Sequence, residues 1–195
     1  KKVYDAGDNN KHFFVNAILV TNHGDVYVLK KQFQTGKFEK ATGTTNYDFI
    51  VHKISKNDTS ETIVSLEDQY IRSLAMSSKN GKLHLIGFYS EKNVGRIKGG
   101  CDFIIDLNDL SVKSKKTIVL PQQVFEDLYG DKAKKLKEKE YELRNFEINY
   151  TLDDSKGNTY ILAEEYYSSY NAQYGNIAGG TTEEHYDDIL ILKFN

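Results

Sequence analysis

Polar and apolar positions alternate along this chain in short runs separated by turn residues. Phe13 to Val20 reads F-F-V-N-A-I-L-V. Val26 to Phe33 places Val26, Val28 and Lys30 on one face and Tyr27, Leu29 and Lys31 on the other. The T-N-H-G-D between them is a turn signal, because Asn and Gly accept backbone conformations that other residues resist. Two apolar runs around such a turn predict a β-hairpin. A loop rich in Gly and Thr, Thr35 to Asn46, precedes a third predicted strand at Asp48 to Ile54, and a shorter fourth follows at Thr62 to Leu66.

The pattern then restarts. Ile71 to Ser77 and Leu83 to Tyr89 flank the turn S-S-K-N-G-K, and Asp102 to Leu107 and Thr117 to Leu120 complete a second unit. Residues 121–140 break the rhythm. Pro121 suits the first turn of a helix, where its missing amide hydrogen would go unpaired anyway. Val124, Phe125 and Leu128 fall at helical spacing, and Gly130 is a stop signal. Asp131 to Glu140 is almost all charge, with five lysines. It is read as a solvated face, with docking of an acidic partner as the lesser alternative. A third unit starts at Tyr141, with a strand carrying Leu143, Phe146, Ile148 and Tyr150 and then the turn L-D-D-S-K-G-N. The return strand is Thr159 to Tyr167, the longest loop Ser168 to Tyr186, and the last strand Asp188 to Phe194.

These units are one phrase repeated. Gly24, Gly81 and Gly157 hold the turns, and Asp48, Asp102 and Asp188 open the third strands. The second gap between glycines exceeds the first by about the length of the 121–140 insertion. A four-stranded meander cannot bury both faces alone, and radial stacking of copies buries them, which is the logic of a β-propeller. The expected fold is therefore all-β: about three four-stranded antiparallel meanders, the third incomplete, as β-propeller blades with a short helical insertion. One domain spans 1–195, with blades at roughly 11–66, 70–120 and 141–195 and the helical insertion at 121–140. Propellers close with about four to eight blades. Three blades in an open wedge would leave two apolar flanks exposed, so the remaining propeller blades or a second copy are expected partners. A β-sandwich of the same strands is the alternative.

Composition narrows the function classes. The chain has 195 residues, enough for one domain with a real core. Its 14 tyrosines and 10 phenylalanines suit half-buried strands, since tyrosine covers apolar area while its hydroxyl stays wet. A net charge of −2 provides no global attraction for nucleic acid or anionic lipid. The single cysteine, Cys101, excludes an internal disulfide and a cysteine-built zinc site. No apolar run approaches the ~18 residues of a membrane-spanning helix. Residues 1–10 carry no apolar signal-peptide core, as would also hold for a processed exported protein.

The phrase G-N-T-Y-I-L-A … D-I-L-I-L-K-F resembles the bacterial β-propeller repeat D-x-x-G-N-x-Y-x-x-G … D-x-x-x-x-K. Asp154, Gly157, Asn158, Tyr160, Ala163, Asp188 and Lys193 carry the match in the third unit. The first unit retains Gly24, Tyr27, Asp48 and Lys53. The second retains Gly81, Gly87 and Asp102 but has His84 for the tyrosine and Asn108 where the lysine falls. Residues 121–195 are more closely similar to a family of uncharacterised exported propeller proteins of the Bacteroidota. There a charged helical insertion precedes a blade reading "liaEqyy", a Thr- and Tyr-rich loop and "ndiivvkl". The resemblance implies export (periplasmic, outer-membrane-associated or extracellular) and further blades beyond the last strand. It supplies no catalytic residues.

Few residues point to chemistry. Asp48, Asp102 and Asp188 are read as Asx-type satisfaction of backbone amides at loop-to-strand junctions. The functional alternative is a ring of carboxylates at a channel mouth that binds a cation. Glu164 and Glu165 lie near Glu183, Glu184 and Asp187, and two carboxylates at a suitable separation hydrolyse glycosides. Surface acids are the default reading. His12, His23, His52, His84 and His185 form no H-x-H or H-x-x-x-H pair, so no metal site is expected. No cofactor motif occurs: Walker-type and Rossmann glycine patterns and G-x-S-x-G are absent. Cys101 is expected to be a buried thiol. The candidate binding residues are Tyr166, Tyr167, Tyr170, Tyr174 and Tyr186, because tyrosines on a long loop make low-entropy contacts. The expected function is a non-enzymatic exported scaffold that recognises protein or polysaccharide through one loop face. A hydrolase or lyase with carboxylates at the channel mouth, or a structural subunit of a secretion or cell-surface assembly, are the alternatives.

Overall fold

The computed structural model describes residues 13–34, 46–91, 96–130, 142–171 and 180–194. The lysine-rich run at 131–140 and Tyr174 lie outside them. Among the described residues eleven strands form three antiparallel sheets of four, four and three strands, none closed. The first contains β1 (Phe13–Val20), β2 (Val26–Phe33), β3 (Tyr47–Ile54) and β4 (Thr59–Val64). The second contains β5 (Tyr70–Lys79), β6 (Lys82–Ser90), β7 (Gly99–Asp106) and β8 (Val112–Val119). After α1 (Gln122–Tyr129) come β9 (Phe146–Asp153), β10 (Thr159–Asn171) and β11 (Thr181–Phe194). Within each sheet the strands neighbour one another in chain order.

The first hairpin of each sheet turns on a glycine with positive φ: Gly24 at 86°, Gly81 at 71° and Gly157 at 92°. A Cβ is sterically disfavoured in that region, so glycine is required by backbone shape. Asp154 reinforces the third turn. Its Oδ1 accepts from the Lys156 and Asn158 amides, each at 2.9 Å, and its Oδ2 from Asn158 Nδ2 at 2.6 Å and Tyr160 Oη at 3.1 Å.

The alternation of side chains decides how the sheets stack. The second sheet lies between the other two and is buried on both faces. Leu83, Leu85, Tyr89, Cys101, Phe103 and Ile105 pack with Tyr27, Leu29, Phe49 and Val51 of the first sheet. Ile86 and Phe88 pack with Phe146, Ile161, Ala163, Leu190 and Phe194 of the third. Gly100 allows a close approach there, since a Cβ on it would sit 2.8 Å from Phe194 Cζ and 3.1 Å from Leu192 Cδ1. Neighbouring backbones come together chiefly at the first strands, β1 with β5 and β5 with β9.

A polar latch joins the first two sheets. Tyr27 is almost fully buried, and its hydroxyl donates to the Leu107 carbonyl at 2.8 Å. Lys53, its cross-strand neighbour, donates to the same carbonyl at 2.8 Å and to that of Asn108 at 3.1 Å. Tyr47 adds a hydroxyl bond to the Ile71 carbonyl at 2.5 Å.

Within the 121–140 insertion the described residues contain one helix, and it stops at the glycine the sequence indicated. It runs over Gln122–Tyr129 with Pro121 as its N-cap residue, and Gly130 ends it at φ 54°. Phe125 is buried in the core between the second and third sheets, with Val124, Leu128 and Tyr129 packed beside it. That amphipathic stripe holds the helix in place, because one of two turns is marginal alone. The strand limits differ in the third unit. Residues predicted as loop at 168–186 are strand over 168–171 and 181–186. Their Ser, Thr and Tyr side chains continue the antiparallel ladder after a bulge between Glu164 and Tyr166.

Candidate functional site

The extension of β10 and β11 builds a two-stranded arm. β9 stops pairing at Phe146 opposite Glu165, and the two remaining strands run on together to Asn171 opposite Thr181. Among the described residues no third strand pairs with the arm. Side chains alternate across the ladder, so the arm has two different surfaces.

One surface carries Tyr166, Ser168 and Tyr170 with Tyr186, Glu184 and Thr182. Tyr166 and Tyr186 are directly opposed, their ring centroids 5.2 Å apart at 43°. Both hydroxyls donate to Glu184, each at 3.4 Å. Tyr170 lies across Gly180, in the space a Cβ would take. It is the most exposed of these tyrosines, at 68%. The Tyr186 hydroxyl loses its proton less readily than usual, through burial and then the neighbouring Glu184 charge. The result is a row of three rings with a carboxylate at its centre, able to stack on a flat partner and to accept a hydrogen bond.

The opposite surface carries Tyr167, Ser169 and His185. Tyr167 stacks on His185 at 4.6 Å and 12°, and donates to Asp187 at 2.9 Å. Ser169 Oγ lies 2.8 Å from His185 Nε2. A serine beside a histidine invites a nucleophilic reading. Here the imidazole is held by the stacked Tyr167 ring on a two-stranded ribbon, and among the described residues no pocket encloses it and no amides are placed to bind an oxyanion. Sequence reasoning missed this pair because the partners are sixteen positions apart and meet only through the arm's register.

The five candidate tyrosines therefore do not form one cluster. Tyr166, Tyr170 and Tyr186 share a surface, Tyr167 is on the reverse, and Tyr174 lies outside the described residues. The carboxylates also separate. Glu164 accepts from Asn149 Nδ2 at 3.1 Å on the outer face of the third sheet. Glu183 and Glu184 fall on opposite surfaces of the arm. Glu165 sits at the root, where burial and then the charges of Asp188 and Asp187 raise its pKa. Among the described residues no group of three or more His, Cys, Asp or Glu side chains is placed to hold a metal ion.

The three repeat aspartates correct the sequence alignment. Asp48 pairs with Gln32, the register position that Gly99 holds in the second sheet opposite Tyr89. Asp102 is three residues further on, inside β7 opposite Ile86, and on the other face of its sheet. The three carboxylates thus form no ring, and Asp102 is not at a loop-to-strand junction. It is buried, and its Oδ1 has no hydrogen-bond partner among the described residues. Burial raises its pKa against the opposing influence of His84 and Lys116. Cys101 beside it is fully buried, and burial pushes its thiol well up. A shallow polar recess of ≈ 330 Å³ between Leu66–Gln69 and Lys115–Thr117 has the 2.7 Å Lys115–Glu67 pair at its edge and no converging reactive groups.

Among the described residues no helix is long and apolar enough to cross a membrane. Compared with protein-family models, curated proteins and solved structures, the chain matches none of them.

Proposed function

We propose that this chain is a non-enzymatic exported scaffold whose meanders act as β-propeller blades and whose arm holds a protein or polysaccharide. The observation that carries the reading is the Tyr166, Tyr170 and Tyr186 surface. Those rings stand on a ribbon that has left the sheet, so folding of the core does not require them there. Aromatic rings on a stiff hairpin lose little entropy on contact and stack on sugars or side chains alike. The blade reading is supported by the meander order in each sheet and by the approach of neighbouring sheets through their first strands. Export rests on the resemblance of residues 121–195 to exported propeller proteins.

The test is a chain carrying Tyr166→Ala, Tyr170→Ala and Tyr186→Ala, probed against a panel of soluble and insoluble polysaccharides and against cell-envelope proteins. Loss of a wild-type interaction with an unchanged melting temperature supports the arm as the binding surface. A retained interaction, or no wild-type interaction in either panel, rejects it. The raised pKa of Glu165 beside Asp187 and Asp188 favours a second reading, glycoside hydrolysis or lyase chemistry at the root of the arm. Turnover of any panel polysaccharide that Glu165→Gln abolishes would establish that instead.

A further inference from the structure

Cross-strand register makes the three sheets comparable residue by residue. Tyr27 pairs with Lys53, His84 with Ile104 and Tyr160 with Lys193. The Tyr27 and Leu29 face of the first sheet packs on the Leu83 and Leu85 face of the second. The His84 and Ile86 face of the second sheet packs on the Ile161 and Ala163 face of the third. Each junction therefore joins the same kind of face to the same opposite kind. Repeating that rule leaves, among the described residues, one unused face at each end.

At one end is the Tyr160 and Leu162 face of the third sheet, which carries exposed Tyr150, Leu152, Ile189 and Ile191. At the other is the Val26 and Val28 face of the first sheet, which carries exposed Val15, Ile18, Val20 and Ile63. Such apolar faces on a protein surface mark contacts with something else. The occupant is indicated by the latch. Tyr27 and Lys53 grip the turn after the third strand of the next sheet, at Leu107 and Asn108. Tyr160 and Lys193 repeat that pair on the free face of the third sheet, with Lys193 exposed and the Tyr160 hydroxyl donating within its own sheet to Asp154 at 3.1 Å, a bond that docking would exchange. The turn they would need, beside a face of the right kind, is the β3–β4 turn at 55–58, at the edge of the free face of the first sheet.

We propose that the free face of the third sheet docks on the free face of the first sheet in a second copy of the chain. Tyr160 and Lys193 of one copy then grip the β3–β4 turn of the other, continuing the face rule used twice within the chain and repeating the latch of its first junction. The contact is heterologous, joining two different faces. Pairing of like faces would set latch against latch and leave the turn unused. The inference does not depend on what the tyrosine arm binds.

Ile18 and Ile189 are 64% and 69% exposed, so charging either leaves the cores intact. The experiment is sedimentation velocity across a concentration series for the chain, Ile18→Lys, Ile189→Lys and an equimolar mixture of the two variants, with circular dichroism melts for each. The expected result is concentration-dependent growth of the 22.3 kDa chain to a dimer or larger. Each variant alone stays monomeric with an unchanged melt, and the mixture regains a heterodimer, since each partner keeps one good face. Lys193→Met, which removes the latch without charging the face, is expected to weaken association by about tenfold, one charge-assisted hydrogen bond. A wild-type chain that stays monomeric overturns the proposal, as does a dimer broken by only one of the two isoleucine substitutions, which would mean like faces pair.

Discussion

The latch between the first two sheets is open to a double-mutant cycle. Tyr27→Phe removes a hydroxyl that donates to the Leu107 carbonyl at 2.8 Å and changes little volume. Lys53 still donates to that carbonyl at 2.8 Å, so no acceptor is orphaned. The expected cost is about 1 kcal/mol, the net worth of one hydrogen bond. Lys53→Met keeps most of the side chain's apolar length and removes two charge-assisted bonds, at 2.8 and 3.1 Å, together with the ammonium 5.9 Å from the Tyr27 ring centroid. That is worth about 1.5–3 kcal/mol, with the lower end expected because the turn is partly open to water.

The double variant differs in kind from either single one. With both donors gone, the Leu107 carbonyl loses each side-chain partner it has in the latch, and its unpaired desolvation adds to the two losses. The coupling should therefore be about 1 kcal/mol beyond additivity. Urea unfolding of the four proteins measures it, with unchanged slopes required for the comparison. For a chain of this length each kcal/mol corresponds to a melting shift of about 2–4 °C. Additivity to within ~0.4 kcal/mol, the usual scatter for independent sites, would show that water replaces the lost donors. The shared carbonyl would then contribute nothing to sheet docking.

Three other outcomes follow from buried or bridged groups. The hydrogen bonds from Asn158 hold the Asp154 pKa down to about 2, so its contribution is present above the unfolded carboxylate range and fades as pH falls from about 4 toward 2. Protection of the Lys156 and Asn158 amides, measured relative to their intrinsic exchange rates, should fall over that window, and Asp154→Ala should abolish the pH dependence of that protection. Cys101 should resist thiol reagents in the native chain and react at the rate of unfolding, since its thiol is fully buried and its ionisation suppressed; fast native labelling would contradict the packing of β7. Burial lowers the Lys30 pKa against the attraction of Glu61, so the wild type should gain stability as alkaline pH discharges the amine. Lys30→Met should melt higher near neutrality and lose that alkaline gain, and a lower melting temperature would show that the ammonium stabilises the sheet.

Much of the strand pattern was legible because the chemistry is local. Gly24, Gly81 and Gly157 announce their turns through backbone freedom that only glycine has. The runs at 13–20 and 26–33 carry the period of a half-buried sheet, and the structure places strands over both. What failed depends on register. Asp48 and Asp102 look equivalent when the chain is aligned on acidic residues, but pairing sets Gly99 against Asp48. The loops before β3 and β7 differ in length, and sequence spacing cannot see where a strand begins to pair. The arm was missed for a related reason. Ser, Thr and Tyr at 168–171 and 181–186 suit either a loop or an exposed ribbon, and only the continued ladder past the Glu164–Tyr166 bulge chooses between them. Alternation along β10 separates Tyr167 from Tyr166 and Tyr170, and the register past the bulge sets Tyr186 opposite Tyr166, which spacing along the chain does not show.

The repeat and the face rule share one physical cause. A tyrosine recurs after the turn glycine in the first and third units because, at Tyr27, it does two jobs: its ring fills the junction and its hydroxyl reaches the next turn. In the second sheet the same position is His84, and Ile104 replaces the lysine opposite. That substitution is tolerated because Gly100 lets Leu192 and Phe194 press directly against the second sheet, so close packing replaces the latch. The third sheet restores both latch residues, Tyr160 and Lys193, on a face that no other described element covers. If the motif served only the local hairpin, the lysine opposite the tyrosine would have no reason to return with it. The pair returns together on the face of that kind that has no neighbour among the described residues, which ties the repeated sequence to a junction between sheets.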